Sequence, residues 1–341
     1  MSVNKISSVA INSISCALPK NSVRIVDRIP SSMADMAYKI TKVTGFSSLR
    51  IAPKNTTTSD LVVEAAKPVL DDFGRNNIKA IVFVSETPDY IFPATSHVLQ
   101  DTLGLPDTTF CVDINEGCSG YVTGLYISSL LAKNLGGVLL CGGDTRSKLV
   151  PADDFTPSSI FADGAFVTLI SPTNLDNKAN NASNEDAIAF NFASYGERRD
   201  ALIMENSRHR VVENPKNNGN PYMDGKAVLK FAVSAVPKVV DELLTQCGLT
   251  KDDITYYACH QANRSLLLFL ADAMNLPHDR IPFASQDIGN TISATIPLLL
   301  SIQREQADLS RVLCAGFGVG LAVGACIVNL AETKFYGIIE V

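Results

Sequence analysis

The sequence predicts an α/β protein built from two similar halves. Three observations carry this: apolar strand-like runs alternate with longer helical patterns, corresponding points in the two halves recur at a nearly constant spacing, and the composition is that of a large globular chain. The chain has 341 residues, 46% hydrophobic and 19% charged. At roughly 150 residues per domain, that length allows one large domain or two moderate ones. Such a chain buries enough surface to fold without disulfide or metal staples.

In order, AIVFVSE, TTFCVDI, GGVLLCGG and AFVTLI read as buried strands of the first half, with SHVLQDTLG and GYVTGLYISSLLAKN as helices between them. The second half repeats the order. ITYYACH is followed by helix RSLLLFLADAMN, RIPFASQ by helix TISATIPLLLSIQREQ, and RVLCAGF and LAVGACIVNL close the series. This alternation predicts a largely parallel sheet covered by helices. Pro106 and Pro277 lie 171 residues apart, Cys118 and Asn290 172, and Cys141 and Cys314 173. Gly164 and Gly320 lie only 156 apart, because the first half makes a longer excursion through 144–160. An ordered set of matching offsets points to internal duplication. The halves are placed at 1–172 and 186–341, with the Asn-, Asp- and Ser-rich stretch 173–185 as linker. A second polar stretch, ENSRHRVVENPKNNGNPYMDG, precedes helix KAVLKFAVSAVPKVVDELLTQ and is expected to cover a site or line its entrance.

Thirty-five acidic against twenty-nine basic residues give a net charge of −6, which argues against a broad nucleic-acid footprint. No apolar run is long enough to span a bilayer. The N-terminal segment lacks a charged region followed by a long apolar one, so no signal peptide and a cytoplasmic location are expected. The eight cysteines contain no C-x-x-C pair, which makes zinc an unpromising ligand. Most sit inside strand-like runs and read as small buried hydrophobes.

Cys118 is set apart. It follows strand TTFCVDI and opens a helix, where the partial positive charge of the helix N-terminus is expected to lower its pKa. Gly117, Ser119 and Gly120 around it permit a tight turn. His260 follows strand ITYYAC, and Asn290 follows RIPFASQDIG. Each of the three falls at the C-terminal end of a predicted strand, where open α/β sheets place ligands. The duplication sets Cys118 and Asn290 at equivalent points, so a pseudo-twofold axis brings them face to face. A thiol, an imidazole and a carboxamide together make a nucleophile with two hydrogen-bond donors. AGFGVGLAVGA at 315–325 leaves the backbone open at Gly318 and Gly320. It does not make a dinucleotide fingerprint, and a backbone N–H aimed at an oxyanion fits better.

With these residues in place, the chain resembles the β-ketoacyl-acyl-carrier-protein synthase III family and the wider thiolase-fold condensing enzymes. DINEGCSGY, HQAN, GNTISATIP and GFGVGLAVGA carry the resemblance in this order, supported by TGFSSLRIA, IFPATSHVLQDTLGL, IFADGAF and MDGKAVLKFAV. It implies a thiolase-like, five-layered α-β-α-β-α fold from two duplicated halves, and a homodimer. By motif, Cys118 would be the acylated nucleophile. His260 and Asn290 would hydrogen-bond the thioester carbonyl of a second substrate, and the N–H groups of Cys118 and Gly320 would form an oxyanion hole. Phe92 matches a residue that reaches into the neighbouring subunit's acyl pocket, and Lys230 a basic position that docks the acidic carrier protein. The resemblance implies no resident cofactor. Its substrates would be coenzyme A or phosphopantetheine thioesters: an acyl-CoA or acyl-carrier protein, then malonyl-carrier protein.

The chain also departs from the family. It has no Trp, and Lys39 and Val43 stand where an aromatic residue and an arginine would fall. Arg264, after HQAN, sits one place early. This puts coenzyme A in question as donor and lets a carrier protein replace it. Glu116 stands two residues before the nucleophile, where the family usually has a small residue. Glu86 in VSETPDY matches a loop from which hydroxymethylglutaryl-CoA synthases, in the same superfamily, supply a base. A non-decarboxylative condensing enzyme or acyltransferase is therefore an alternative reading. A structural partner subunit without activity is the alternative from another class, opposed by an intact Cys–His–Asn set.

Overall fold

A computed structural model describes residues 3–151, 153–173 and 187–341. In chain order the strands are β1 (Asn4–Ile6), β2 (Val9–Leu18), β3 (Ser22–Arg24), β4 (Ser48–Arg50), β5 (Ile78–Val84), β6 (Phe110–Ile114), β7 (Gly137–Thr145), β8 (Asp163–Pro172), β9 (Ile188–Ser194), β10 (Leu202–Ile203), β11 (Tyr222–Met223), β12 (Tyr256–Cys259), β13 (Val312–Gly318), β14 (Ala322–Val328) and β15 (Lys334–Glu340). The helices are α1 (Ile25–Arg28), α2 (Ala34–Thr44), α3 (Thr58–Phe73), α4 (Thr95–Thr102), α5 (Gly120–Leu135), α6 (Phe155–Ser158), α7 (Gly225–Cys247), α8 (Arg264–Ala273) and α9 (Thr295–Gln303).

Two sheets form the frame. One has the order β15-β2-β8-β7-β5-β6, the other β1-β9-β14-β13-β12. Helices α5 and α9 lie between them, each packing on strands of both sheets. Their sequences explain the position. GYVTGLYISSLLAKNL and TIPLLLSIQ are apolar or small on most sides, and a helix without a polar face is stable only when buried all round. Helices α3 and α4 cover the outer face of the first sheet, and α7 and α8 that of the second. The result is the five-layered α-β-α-β-α arrangement. Three of its outer helices are amphipathic and capped by their own N-terminal side chains: Thr57 and Asp60 form a capping box at α3, Asp224 caps α7, and the Asn263 side chain accepts from Leu266 N–H at α8.

The sheets differ from the expected parallel arrangement. β5 pairs in parallel with β6 and β7, β2 with β15, and β12 with β13, but β8 runs antiparallel to β2 and β7, and β14 antiparallel to β13 and β9. For β13 and β14 the cause is the short link between them, which makes a hairpin with no room for a crossover helix. The terminal strands are exchanged: β1 joins the sheet of the second half and β15 that of the first. RIPFASQ is not a strand. Pro282 has no N–H to give a ladder, and buried Gln261 serves the segment instead, donating to the Pro282 carbonyl (3.1 Å) and accepting from Ala284 N–H (2.9 Å). Except for Thr173, the expected linker lies outside the described residues. All eight cysteines are free, and six of them are buried.

Candidate active site

Cys118 lies in the turn between β6 and α5, nine-tenths buried. Strand β13 of the second half passes directly against it. A Cβ at Gly318 would stand 2.9 Å from Cys118 Sγ, and one at Gly316 2.7 Å from the Cys118 carbonyl. Only glycine allows this approach. Just beyond β13, Val319 N–H donates to the sulfur. The expected lowering of the thiol pKa does not occur; the thiol is pushed up. Burial is the main cause, the carboxylates of Glu86 and Asp144 add to it, and Arg146 and Val319 N–H only partly oppose it. Desolvation and two nearby acids outweigh the helix N-terminus.

His260 is locked onto the same strand. Its N–H donates to the Ala315 carbonyl (2.9 Å), and its ring meets Phe317 edge-on at 5.6 Å. Nδ1 lies 2.7 Å from Thr295 Oγ1, and the Ile292 carbonyl lies close enough to the ring to favour its protonated form slightly. Full burial drives its pKa down to about 3, so the imidazole is neutral across the physiological range.

Asn290 is clamped by the excursion of the first half. Its N–H donates to the Ile160 carbonyl and its carbonyl accepts from Ala162 N–H, both at 2.9 Å. Oδ1 accepts from Ile292 N–H (2.9 Å), while Nδ2 makes no hydrogen bond among the described residues. Ile292 therefore joins Asn290 to His260 through its own backbone. It does so at φ +56°, a strained conformation for a β-branched residue. Ile292 shares an apolar cluster with Cys118 and Phe161. Thiol and imidazole thus both meet β13, Ile292 ties the carboxamide to the imidazole, and both halves contribute.

A second set of groups sits behind Cys118. The Glu86 carboxylate lies against Gly117, where a Cβ would meet its Oε1 at 2.6 Å. Glu86 Oε2 accepts from Arg146 Nη1 (3.2 Å), both side chains being largely buried. Arg146 also stacks over Phe161 at 5.4 Å. Fully buried Asp144 accepts from Glu86 N–H (2.8 Å) and, from the other half of the chain, Ser293 Oγ (2.9 Å). The pKa values of Glu86 and Asp144 are both raised, chiefly by burial. Arg146 opposes the shift at Glu86, and Glu86 adds to the one at Asp144. Among the described residues, the buried Glu116 Oε2 makes no hydrogen bond. A pocket of about 780 Å³ opens over this set, lined by Glu86, Glu116, Arg146, Val319 and Gly320 among others. Met204, Ser207 and Arg208, around the start of the second polar stretch, also line it.

The remaining sequence candidates are spread more widely. Gly320, at φ +134°, borders the pocket. Phe92 is 84% exposed, beside exposed Tyr90 and Ile91. Arg264 opens α8 and stacks over Phe283 at 5.1 Å. Lys230 is exposed on α7, in a separate depression with Arg198 and Lys216. Sequence reasoning missed Asp144, Arg146, Ser293 and Thr295. The charged stretch DTRSK at the end of strand GGVLLCGG was a signal for the first two, since that is where such sheets place ligands. Among the described residues no group of three or more potential metal ligands is present, and no helix is long and apolar enough to cross a membrane.

Comparison with known proteins agrees with this architecture. The family model for the 3-oxoacyl-[acyl-carrier-protein (ACP)] synthase III C terminal matches residues 244–330, and that for 3-oxoacyl-[acyl-carrier-protein (ACP)] synthase III matches 112–194. The β-ketoacyl-[acyl-carrier-protein] synthase III of Latilactobacillus sakei is 33% identical over 330 residues, covering 92% of this chain and 97% of the relative. That of Neisseria gonorrhoeae is 32% identical over 308 residues, covering 85% and 89%. A crystal structure of a 3-oxoacyl-(acyl-carrier protein) synthase from Burkholderia xenovorans superposes with a TM-score of 0.91 at 29% identity, covering 100% of this chain and 99% of that one. With relatives above 30% identity aligned over most of both chains, this protein belongs to the β-ketoacyl-[acyl-carrier-protein] synthase III family.

Proposed function

We propose that this chain takes an acyl group onto Cys118 from an acyl thioester, then condenses it with a malonyl thioester, releasing CO₂ and a β-ketoacyl thioester. The observation that carries this is the shared strand: β13 abuts Cys118 Sγ at Gly318 and holds His260 at Ala315 and Phe317. In the first step Cys118 Sγ bonds to the acyl carbon and the carrier's C–S bond breaks. The raised thiol pKa requires its proton to leave as that bond forms; the departing carrier thiolate takes it up and leaves as the thiol.

In the second step the malonyl C–C bond breaks and CO₂ departs. The electron pair moves into an enolate whose oxygen faces two neutral donors: Nε2–H of His260, in the tautomer whose Nδ1 accepts from Thr295 Oγ1, and Nδ2 of Asn290. In a dry site each contributes roughly 2–4 kcal/mol of transition-state stabilisation. The enolate carbon then attacks the acyl carbonyl on Cys118. The N–H groups of Cys118 and Gly320 hold the resulting oxyanion until the C–S bond breaks and Cys118 leaves as thiolate. Decarboxylation itself generates the carbanion, so no strong base is needed and a carboxamide suits position 290.

In this reading no resident cofactor takes part; acyl-CoA or acyl-carrier protein and malonyl-carrier protein are substrates, with Gly318, Arg264 and Lys230 as candidate contacts. A cytoplasmic homodimer belongs to the same proposal, supported by the apolar tip Tyr90–Ile91–Phe92 standing free beside the pocket. Intact-protein mass spectrometry after incubation with acyl-CoA and acyl-carrier thioesters tests the proposal. One acyl mass on Cys118 supports it; no transfer from any of them refutes it.

A second reading has one observation in its favour. Glu86 lies against Gly117, next to the nucleophile, where a base for non-decarboxylative condensation would stand. Glu86→Gln separates the two. Acylation with condensation abolished favours the base; condensation retained with CO₂ release favours the first reading.

A further inference from the structure

The pocket beside Cys118 has a charged floor. Glu86 and Arg146 form an ion pair whose side chains are 15% and 9% exposed, and Glu116 lies alongside. Among the described residues, Glu86 Oε1 accepts no hydrogen bond, while Arg146 Nε and Glu116 Oε2 are buried without partners. The exposed bases Lys148, Arg199 and Arg208 stand further out on the same pocket's wall.

An unbranched alkyl group laid over this floor would strip water from Glu86 and return no hydrogen bond, and a buried carboxylate left unpaired is costly. A group that donates a hydrogen bond replaces that water. A carboxylate does not fit as well, because among the described residues of the pocket floor Glu86 and Glu116 already outnumber the buried cation Arg146. We propose that the acyl group accepted by Cys118 is short and carries a hydrogen-bond donor, a hydroxyl in the first instance, which Glu86 of the Glu86–Arg146 pair recognises. This rests on the decarboxylative reading above, with Glu86 setting specificity for the first substrate. Sites built to hydrogen-bond a substrate hydroxyl discriminate strongly against analogues that lack it.

The test is the rate of acylation of Cys118, followed by intact mass, with 3-hydroxybutyryl, butyryl, octanoyl and succinyl thioesters on one carrier. The wild type is expected to take 3-hydroxybutyryl at least roughly tenfold faster than butyryl, and octanoyl slowest. Glu86→Gln narrows the first ratio. Glu86→Leu combined with Arg146→Leu, which removes both charges together, inverts it. Butyryl or octanoyl matching 3-hydroxybutyryl in the wild type would overturn the proposal, whether or not the double variant folds. Succinyl reacting fastest would overturn it too and give selection to the outer bases. Transfer of none of the four, nor of any other thioester, would bring down the proposed function itself; the former outcomes leave that function standing.

Discussion

The two halves of the molecule meet at the site with opposite electrostatic characters. On the second-half side, His260 and Asn290 are neutral and fixed: Ala315, Phe317, Thr295 and Ile292 engage the histidine, while Ile160, Ala162 and Ile292 engage the asparagine. On the first-half side, Cys118 is surrounded by Glu86, Asp144 and Arg146, whose charges act on the thiol. A duplicated fold has thus been put to two uses. One lobe presents uncharged donors suited to an enolate oxygen, and the other a charged chamber around the nucleophile. The difference shows why burial matters in opposite senses: it keeps the imidazole free of a proton and keeps the proton on the thiol.

Replacing Cys118 breaks the charged side outright. Cys118→Ala is expected to remove acyl transfer entirely, read as the absence of any acyl mass on the protein. A smaller effect separates the ion pair from its parts. Arg146→Leu leaves the Glu86 carboxylate buried without a partner and should lower unfolding free energy by roughly 3 kcal/mol in denaturant titration. Combining it with Glu86→Leu should recover most of that loss; no recovery would mean that Arg146 acts through its stacking on Phe161 instead.

Smaller again is the expected effect on the neutral side. Thr295→Val removes the hydroxyl that lies 2.7 Å from His260 Nδ1. CO₂ release should fall about tenfold, the equivalent of one hydrogen bond of roughly 1–1.5 kcal/mol, with Thr295→Ser restoring it. A pH titration sharpens the contrast further. His260 ring resonances should show no titration step between pH 5 and 8. Its pKa is depressed from 6.5 to about 3 in the folded chain, so the unfolded chain binds the proton first. The stability linked to neutral His260 is therefore present above pH 6.5 and lost as pH falls toward 3, and His260→Gln should flatten that decline in denaturant midpoints.

Much of this arrangement is legible in the sequence, and the division is physical. Cys118 and His260 stand out because each follows a strand, and local pattern reveals strand ends; the run before Asn290 is no strand. The duplication spacing then pairs Cys118 with Asn290. RIPFASQ misleads because its backbone is served by the side chain of Gln261, which no periodicity encodes. The charged set is hidden for a related reason. Asp144 and Ser293 are 149 residues apart, and Glu86 and Arg146 are 60 apart, so their pairing exists only once the sheets are assembled. The helix N-terminus in front of Cys118 is visible in sequence, but the acids that outweigh it are not.

The most direct measurement is CO₂ release from a malonyl-carrier thioester by Cys118→Ala and by His260→Ala combined with Asn290→Ala, side by side. The division of labour requires release to persist without the thiol and to collapse without the imidazole and carboxamide. Undiminished release from the double variant would contradict it.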